Sequence, residues 1–140
     1  MAGDLLIKKT GGQSLDAFVG EFTERLGCGP FEERESSNYL DERYFRCFAL
    51  GLEITVAAAD DDEFGDYDFW VSFEPEGGCS GDEGFLVGLT DCAARKLALC
   101  GHQVVRPLDF GRADSGAVLY RSNPLKTGGL GNVSSPTSFN

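Results

Sequence analysis

The chain holds one histidine, His102, and five cysteines, Cys28, Cys47, Cys79, Cys92 and Cys100. Nucleophilic catalysis would need a thiol or hydroxyl beside an imidazole, and none of the usual triad motifs surrounds any Ser or Cys. His102 follows Gly101, a glycine that closes a helical pattern, and is expected at the surface or at a helix cap. Zinc needs ligand pairs roughly two to five residues apart, which one His and scattered Cys do not offer. The odd cysteine count, with no C-x-x-C pair, predicts reduced thiols packed as small apolar groups rather than a disulfide framework. The glycines form neither G-x-x-x-x-G-K-[ST] nor a strand-linked G-x-G-x-x-G, since Lys126-Thr127-Gly128-Gly129 and Gly129-Leu130-Gly131 lie in a stretch of weak patterning. Carboxylates are abundant, but no spacing selects a pair for acid–base hydrolysis. The acidic run from Asp60 also fails as a calcium loop: Asp62 suits the third position, but Phe64 stands at the fifth and Val71 at the twelfth. The residue types predict no catalytic residue, no metal and no cofactor.

What remains is charge. The formal net charge is −11, with 23 Asp+Glu against 12 Lys+Arg. From Cys47 to Ala94 there are twelve carboxylates (Glu53, Asp60, Asp61, Asp62, Glu63, Asp66, Asp68, Glu74, Glu76, Asp82, Glu83 and Asp91) and no Lys, Arg or His, leaving the rest of the chain nearly neutral. Such a block repels itself, disfavours nucleic acid and anionic membranes as partners, and suits a basic protein. In Asp60-Asp61-Asp62-Glu63-Phe64-Gly65-Asp66-Tyr67-Asp68-Phe69-Trp70 the anions can steer a cationic surface while an aromatic anchors it. The candidate partner-binding residues are therefore Asp60, Asp61, Asp62, Glu63, Phe64, Asp66, Tyr67, Asp68 and Trp70. The competing reading makes the acids a solvated surface and the aromatics core.

These residues must be positioned by the elements around them. Leu15, Phe18, Val19, Phe22 and Leu26 follow helical spacing, with Ser14 as N-cap and Gly27 as terminator. Leu5–Thr10 reads as a short strand before that helix, and Phe31–Arg43 as a polar connection ending in a strand. Tyr44–Leu50 and Leu52–Ala58 alternate about Gly51 and predict a hairpin. Tyr67–Phe73 alternates next, placing Phe69, Val71 and Phe73 on the core side. Asp82 or Glu83 opens a second helix with the stripe Leu86, Leu89, Ala93, Leu97, Cys100, and Arg95 and Lys96 lie near its C-terminal end. Short strands follow at Gln103–Arg106 and Ala117–Arg121. The order predicts an α+β two-layer sandwich, a mainly antiparallel sheet with two helices on one face, over residues 1–123, followed by a Gly/Ser/Pro-rich tail at 124–140. At 140 residues one domain can bury its own core. The three-residue apolar run Leu5-Leu6-Ile7, flanked by charges, predicts neither a secretory leader nor a lipid anchor, and the expected compartment is the cytoplasm.

Size, acidity, the α+β pattern and the stretch Tyr44-Phe45-Arg46-Cys47-Phe48-Ala49-Leu50-Gly51-Leu52, leading to Asp66-Tyr67-Asp68-Phe69-Trp70, resemble the small cytoplasmic immunity proteins of bacterial polymorphic or contact-delivered toxin systems. The resemblance implies inhibition by occlusion, with an acidic face covering the basic active-site surface of a cognate toxin. It transfers no individual site residue. The alternative from the residues alone is an adaptor or structural module without an inhibitory role.

Overall fold

The computed structural model describes residues 3–8, 11–39, 42–59, 67–76, 83–107, 117–121 and the backbone of 137–139. Helix α1 spans Leu15–Leu26, where the Ser14 hydroxyl accepts a bond from the Ala17 backbone N–H at 3.1 Å. Asp16 occupies the first turn, and the chain leaves the helix at Gly27 with φ 69°. That left-handed exit is why a glycine stands there. Helix α2 spans Glu83–Leu99 and buries Thr90, Ala93, Ala94, Leu97 and Ala98. Three alanines on that face let its backbone lie close to the sheet.

The described strands are β1 (Asp4–Lys8), β2 (Glu32–Glu35), β3 (Arg43–Ala49), β4 (Leu52–Ala58), β5 (Phe69–Pro75), β6 (Gln103–Pro107), β7 (Ala117–Tyr120) and β8 (Thr137–Phe139). They form one antiparallel sheet in the order β2-β3-β4-β5-β1-β6-β7-β8. Both helices pack on the same face. Phe18 of α1 stacks on Phe69 of β5 with centroids 4.5 Å apart, and Leu97 of α2 shares a core with Ile7, Val71 and Val104. The fold is the α+β two-layer arrangement that the alternation predicts.

Among the strands, the structure differs from the sequence reading at three. β1, short and ambiguous in sequence, lies between β5 and β6 and is the heart of the sheet. Leu5, Leu6 and Ile7 are all fully buried, which is why three consecutive apolar residues stand where an outer strand would alternate. Each such side chain stabilises the fold by about 1.5–3 kcal/mol. β2, read as part of a polar connection, is an exposed edge strand of sequence Glu-Glu-Arg-Glu. Cross-strand ion pairs take the place of apolar burial: Arg46 reaches Glu32 at 3.4 Å, and Arg43 reaches Glu33 at 3.3 Å and Asp16 of α1 at 2.6 Å. Charged edges also resist pairing with other chains. β8 lies inside 124–140, where no element is expected, and pairs with β7 through Ala117↔Phe139 and Leu119↔Thr137.

The face away from the helices has its own small cluster of Leu6, Val105 and Ala117, with Tyr67, Trp70 and Leu119 packed against it. His102 follows α2 as expected, but it is buried rather than at the surface. Its Nε2 shares a hydrogen bond with Glu21 Oε1, and its ring stands edge-on to Phe18. Among the described residues no helix is long and apolar enough to cross a membrane.

Candidate protein interface

Alternation sends Tyr44, Arg46 and Phe48 of β3, Glu53 and Thr55 of β4, Trp70, Ser72 and Glu74 of β5, and Asp4 of β1 to the face opposite the helices. The register lines these up in rows. Arg46 faces Thr55, Thr55 faces Ser72, and Ser72 faces Asp4. In the next row Phe48 faces Glu53 and Glu53 faces Glu74. Two carboxylates directly opposite each other repel across an antiparallel pair. Arg46 does not neutralise them, since its guanidinium is held by Glu32 and lies 5.3 Å from the Phe48 ring centre. Among the described residues neither Glu53 nor Glu74 has an ion-pair partner.

Aromatic rings stand further along the same face, beyond the row of Thr55 and Ser72, where Trp70 pairs with Ala57. The loop from β2 folds back through bonds from Tyr39 N to Ser36 O at 3.3 Å and from Glu42 N to Tyr39 O at 2.9 Å. That turn lays Tyr39 on Tyr44, ring centres 4.5 Å apart, and within 6.0 Å of Trp70. Burial, with help from Tyr44, Glu53 and Glu74, pushes the Tyr39 hydroxyl above its ordinary pKa, so it is a neutral donor beside the carboxylates. Beneath them Asp4 is 5 % exposed and accepts from Trp70 Nε1 at 3.1 Å. Burial raises the Asp4 pKa and nearby Glu74 adds to it, against the bonds from Trp70 and Ser72. Phe48, 51 % exposed, supplies an apolar rim.

Of the residues singled out from sequence, Asp60, Asp61, Asp62, Glu63, Phe64 and Asp66 lie outside the described residues. Tyr67, half-buried, accepts from Gln103 Nε2 at 3.0 Å. Asp68 continues the ladder through backbone bonds to Ile7 and Ala59. Trp70 packs against the cluster of Leu6, Val105 and Ala117 with its ring centre 6.0 Å from that of Tyr39, on the same face as the acidic row but separated from it by the row of Thr55 and Ser72. Sequence reasoning passed over Tyr39, Tyr44, Glu53 and Glu74 as site members. Alternation gives the shared face of Tyr44, Glu53 and Glu74, but the register that sets Glu53 against Glu74 and the turn that brings in Tyr39 are tertiary facts.

The thiols are Cys47, buried, Cys28 and Cys100, half-buried, and Cys92, exposed, all four free; Cys79 lies outside the described residues. The expectation of packing cysteines does not fit Cys92. Burial pushes Cys28 up to about 12, with Cys47 beside it contributing, and burial together with Glu21 raises Cys100. A thiol nucleophile requires the opposite shift. Among the described residues no group of three or more His, Cys, Asp or Glu is placed to hold a metal ion. Compared with protein-family models, curated proteins and solved structures, the chain matches none.

Proposed function

We propose that the chain binds a basic protein through its acidic, aromatic-bordered sheet face and inhibits it, as an immunity protein covering the basic active-site surface of a cognate toxin. The observation that carries this is the Glu53–Glu74 pair. A fold gains nothing by setting two carboxylates opposite each other without a cation, and a cationic partner relieves the repulsion on binding. Tyr39, Tyr44 and Trp70, further along the same face, offer what interface energetics favours alongside charge: aromatic area with a polar edge. The stretch from Cys47 to Ala94, with twelve carboxylates and no basic residue, carries the charge excess to which Glu53 and Glu74 belong. The inhibitory role rests on the resemblance described above and on occlusion as the simplest consequence of covering a basic site.

The test begins with capture of a partner by the purified chain from the native cell at low salt. Its association rate should fall at least tenfold between low salt and about 1 M, where screening shortens to roughly 3 Å. The partner's own activity should also be lost in stoichiometric complex. A partner bound at a salt-independent rate, or one that keeps full activity in the complex, overturns the reading.

A further inference from the structure

On the helix side of the sheet, away from the acidic face, the C-terminal end of α1, the body of α2 and the β3–β4 hairpin border a groove of about 410 Å³. Its floor is buried core, Phe22, Ile54 and Phe73, and half-buried Leu26 and Leu89 form its walls. That size lies within the roughly 300–1,000 Å³ of small-molecule clefts, and a mainly apolar lining with one or two placed polar groups is their usual chemistry. We infer that this groove binds an apolar monoanion, a medium-length acyl or aryl body carrying one carboxylate.

Two independent observations point there. The first is Leu50, at the rim. Ala49 pairs with Leu52, so Leu50 and Gly51 form a two-residue turn with φ of 55° and 75°, a conformation suited to Asn, Asp or Gly. A branched aliphatic residue there is strained, and Leu50 is 75 % exposed, so no burial in the fold offsets the strain. What its side chain does is border the groove.

The second is Lys96, which lines the groove and among the described residues makes no ion pair. It also lines an adjoining hollow with Arg25. On a molecule of net charge −11, this end of the groove is where an anion is tolerated, and a lone ammonium on a flexible stem suits a single negative charge. A neutral ligand would leave that cation unused, and a cationic one would meet it head-on.

Calorimetric titration of the full chain with decanoate, decanol and decylamine tests the inference, with alkylation of Cys92, exposed and part of the lining, as an independent reporter. Decanoate should saturate at one per chain and slow alkylation of Cys92, while decylamine binds at least tenfold more weakly. Lys96→Gln should bring decanoate down about fivefold, to the level of decanol, the effect of one partly exposed ion pair. Leu50→Asn should raise the melting temperature yet weaken decanoate and decanol alike, which separates loss of binding from loss of fold. The inference is overturned by the lack of saturable decanoate binding, by decylamine binding as well as decanoate, or by full decanoate affinity in both variants. Shielding of Cys92 by the captured basic protein but not by decanoate assigns the groove to that protein and equally overturns it. Because the groove and the acidic face lie on opposite sides of the sheet, Glu53→Gln with Glu74→Gln should leave decanoate binding intact.

Discussion

At the scale of single residues, two aspartates, Asp4 buried and Asp91 half-buried, respond to pH in opposite directions. The Asp4 pKa is raised above 3.8, so its favourable contribution is complete in acid and is lost as pH rises through the folded value. At neutral pH the carboxylate is a desolvated charge, and Asn keeps the acceptor for Trp70 without it. Asp4→Asn should therefore be more stable than the parent at pH 7, on the order of 1 kcal/mol, with the difference closing towards pH 3.8. Urea titrations at the two pH values check this, and an Asn variant less stable at pH 7 refutes it. Asp91 is the reverse. Burial alone would raise it, but the bond from the Tyr120 hydroxyl at 2.6 Å and Arg95 at 3.0 Å hold it below the usual range. Its contribution is present above the unfolded value of 3.8 and fades as pH falls through the folded one. Tyr120→Phe, at a fully buried position, should cost about 1–3 kcal/mol at pH 7 and less in acid. Thermal melts across that range decide it. Neither behaviour was legible in sequence, where Asp91 is one acid among many and Asp4 resembles a flanking charge.

At the scale of elements, the β3–β4 turn makes the sharpest stability prediction. Leu50→Asn should stabilise by about 0.5–1 kcal/mol by releasing left-handed strain, whereas Gly51→Ala should cost about 1 kcal/mol because its φ of 75° strains any side chain. Chemical denaturation of the two variants gives both numbers, and a destabilised Leu50→Asn would mean that Leu50 packs in solution. Most elements could be read from the chain because periodicity reports burial: α1, α2 and strands β3 to β7 all carry an apolar face. β2 and β8 could not. An edge strand held by Glu32–Arg46 and Glu33–Arg43 has no apolar face to announce it, and a three-residue strand carries no period. β1 was ambiguous because burial on both faces erases alternation.

For the whole molecule, the governing quantity is the uneven field. The charge of −11 predicts that added salt raises the melting temperature, since screening relieves self-repulsion before any partner binds. Glu53→Gln with Glu74→Gln should take away part of that salt dependence, add about 0.5 kcal/mol at low salt, and weaken the captured partner by roughly tenfold or more. Melting curves from about 0.01 to 1 M salt, with a binding titration on the same variant, test both halves; unchanged affinity would show that the pair is not at the interface. The acidic bias of the stretch Cys47–Ala94 was visible from residue counts alone, but not that Glu53 and Glu74 meet on one face. Nor were the aromatic rings of that face, because Tyr39 and Trp70 are far apart in the chain and meet only through the sheet.

The position of β1 has a consequence in time rather than in energy. Strands β2 to β5 form a continuous meander, as do β6 to β8, and every pairing within each is between neighbours in sequence. Only Asp4–Lys8 joins the two, pairing with Phe69–Ser72 on one side and Gln103–Val105 on the other. These are the longest loop closures in the sheet, so the meanders can zip locally while the seam waits. On a ribosome the first strand emerges long before either neighbour exists. Leu5-Leu6-Ile7 must then travel unpaired as an adhesive apolar triplet, guarded by Asp4 on one side and Lys8-Lys9 on the other, charges of the kind that keep such segments from pairing with one another.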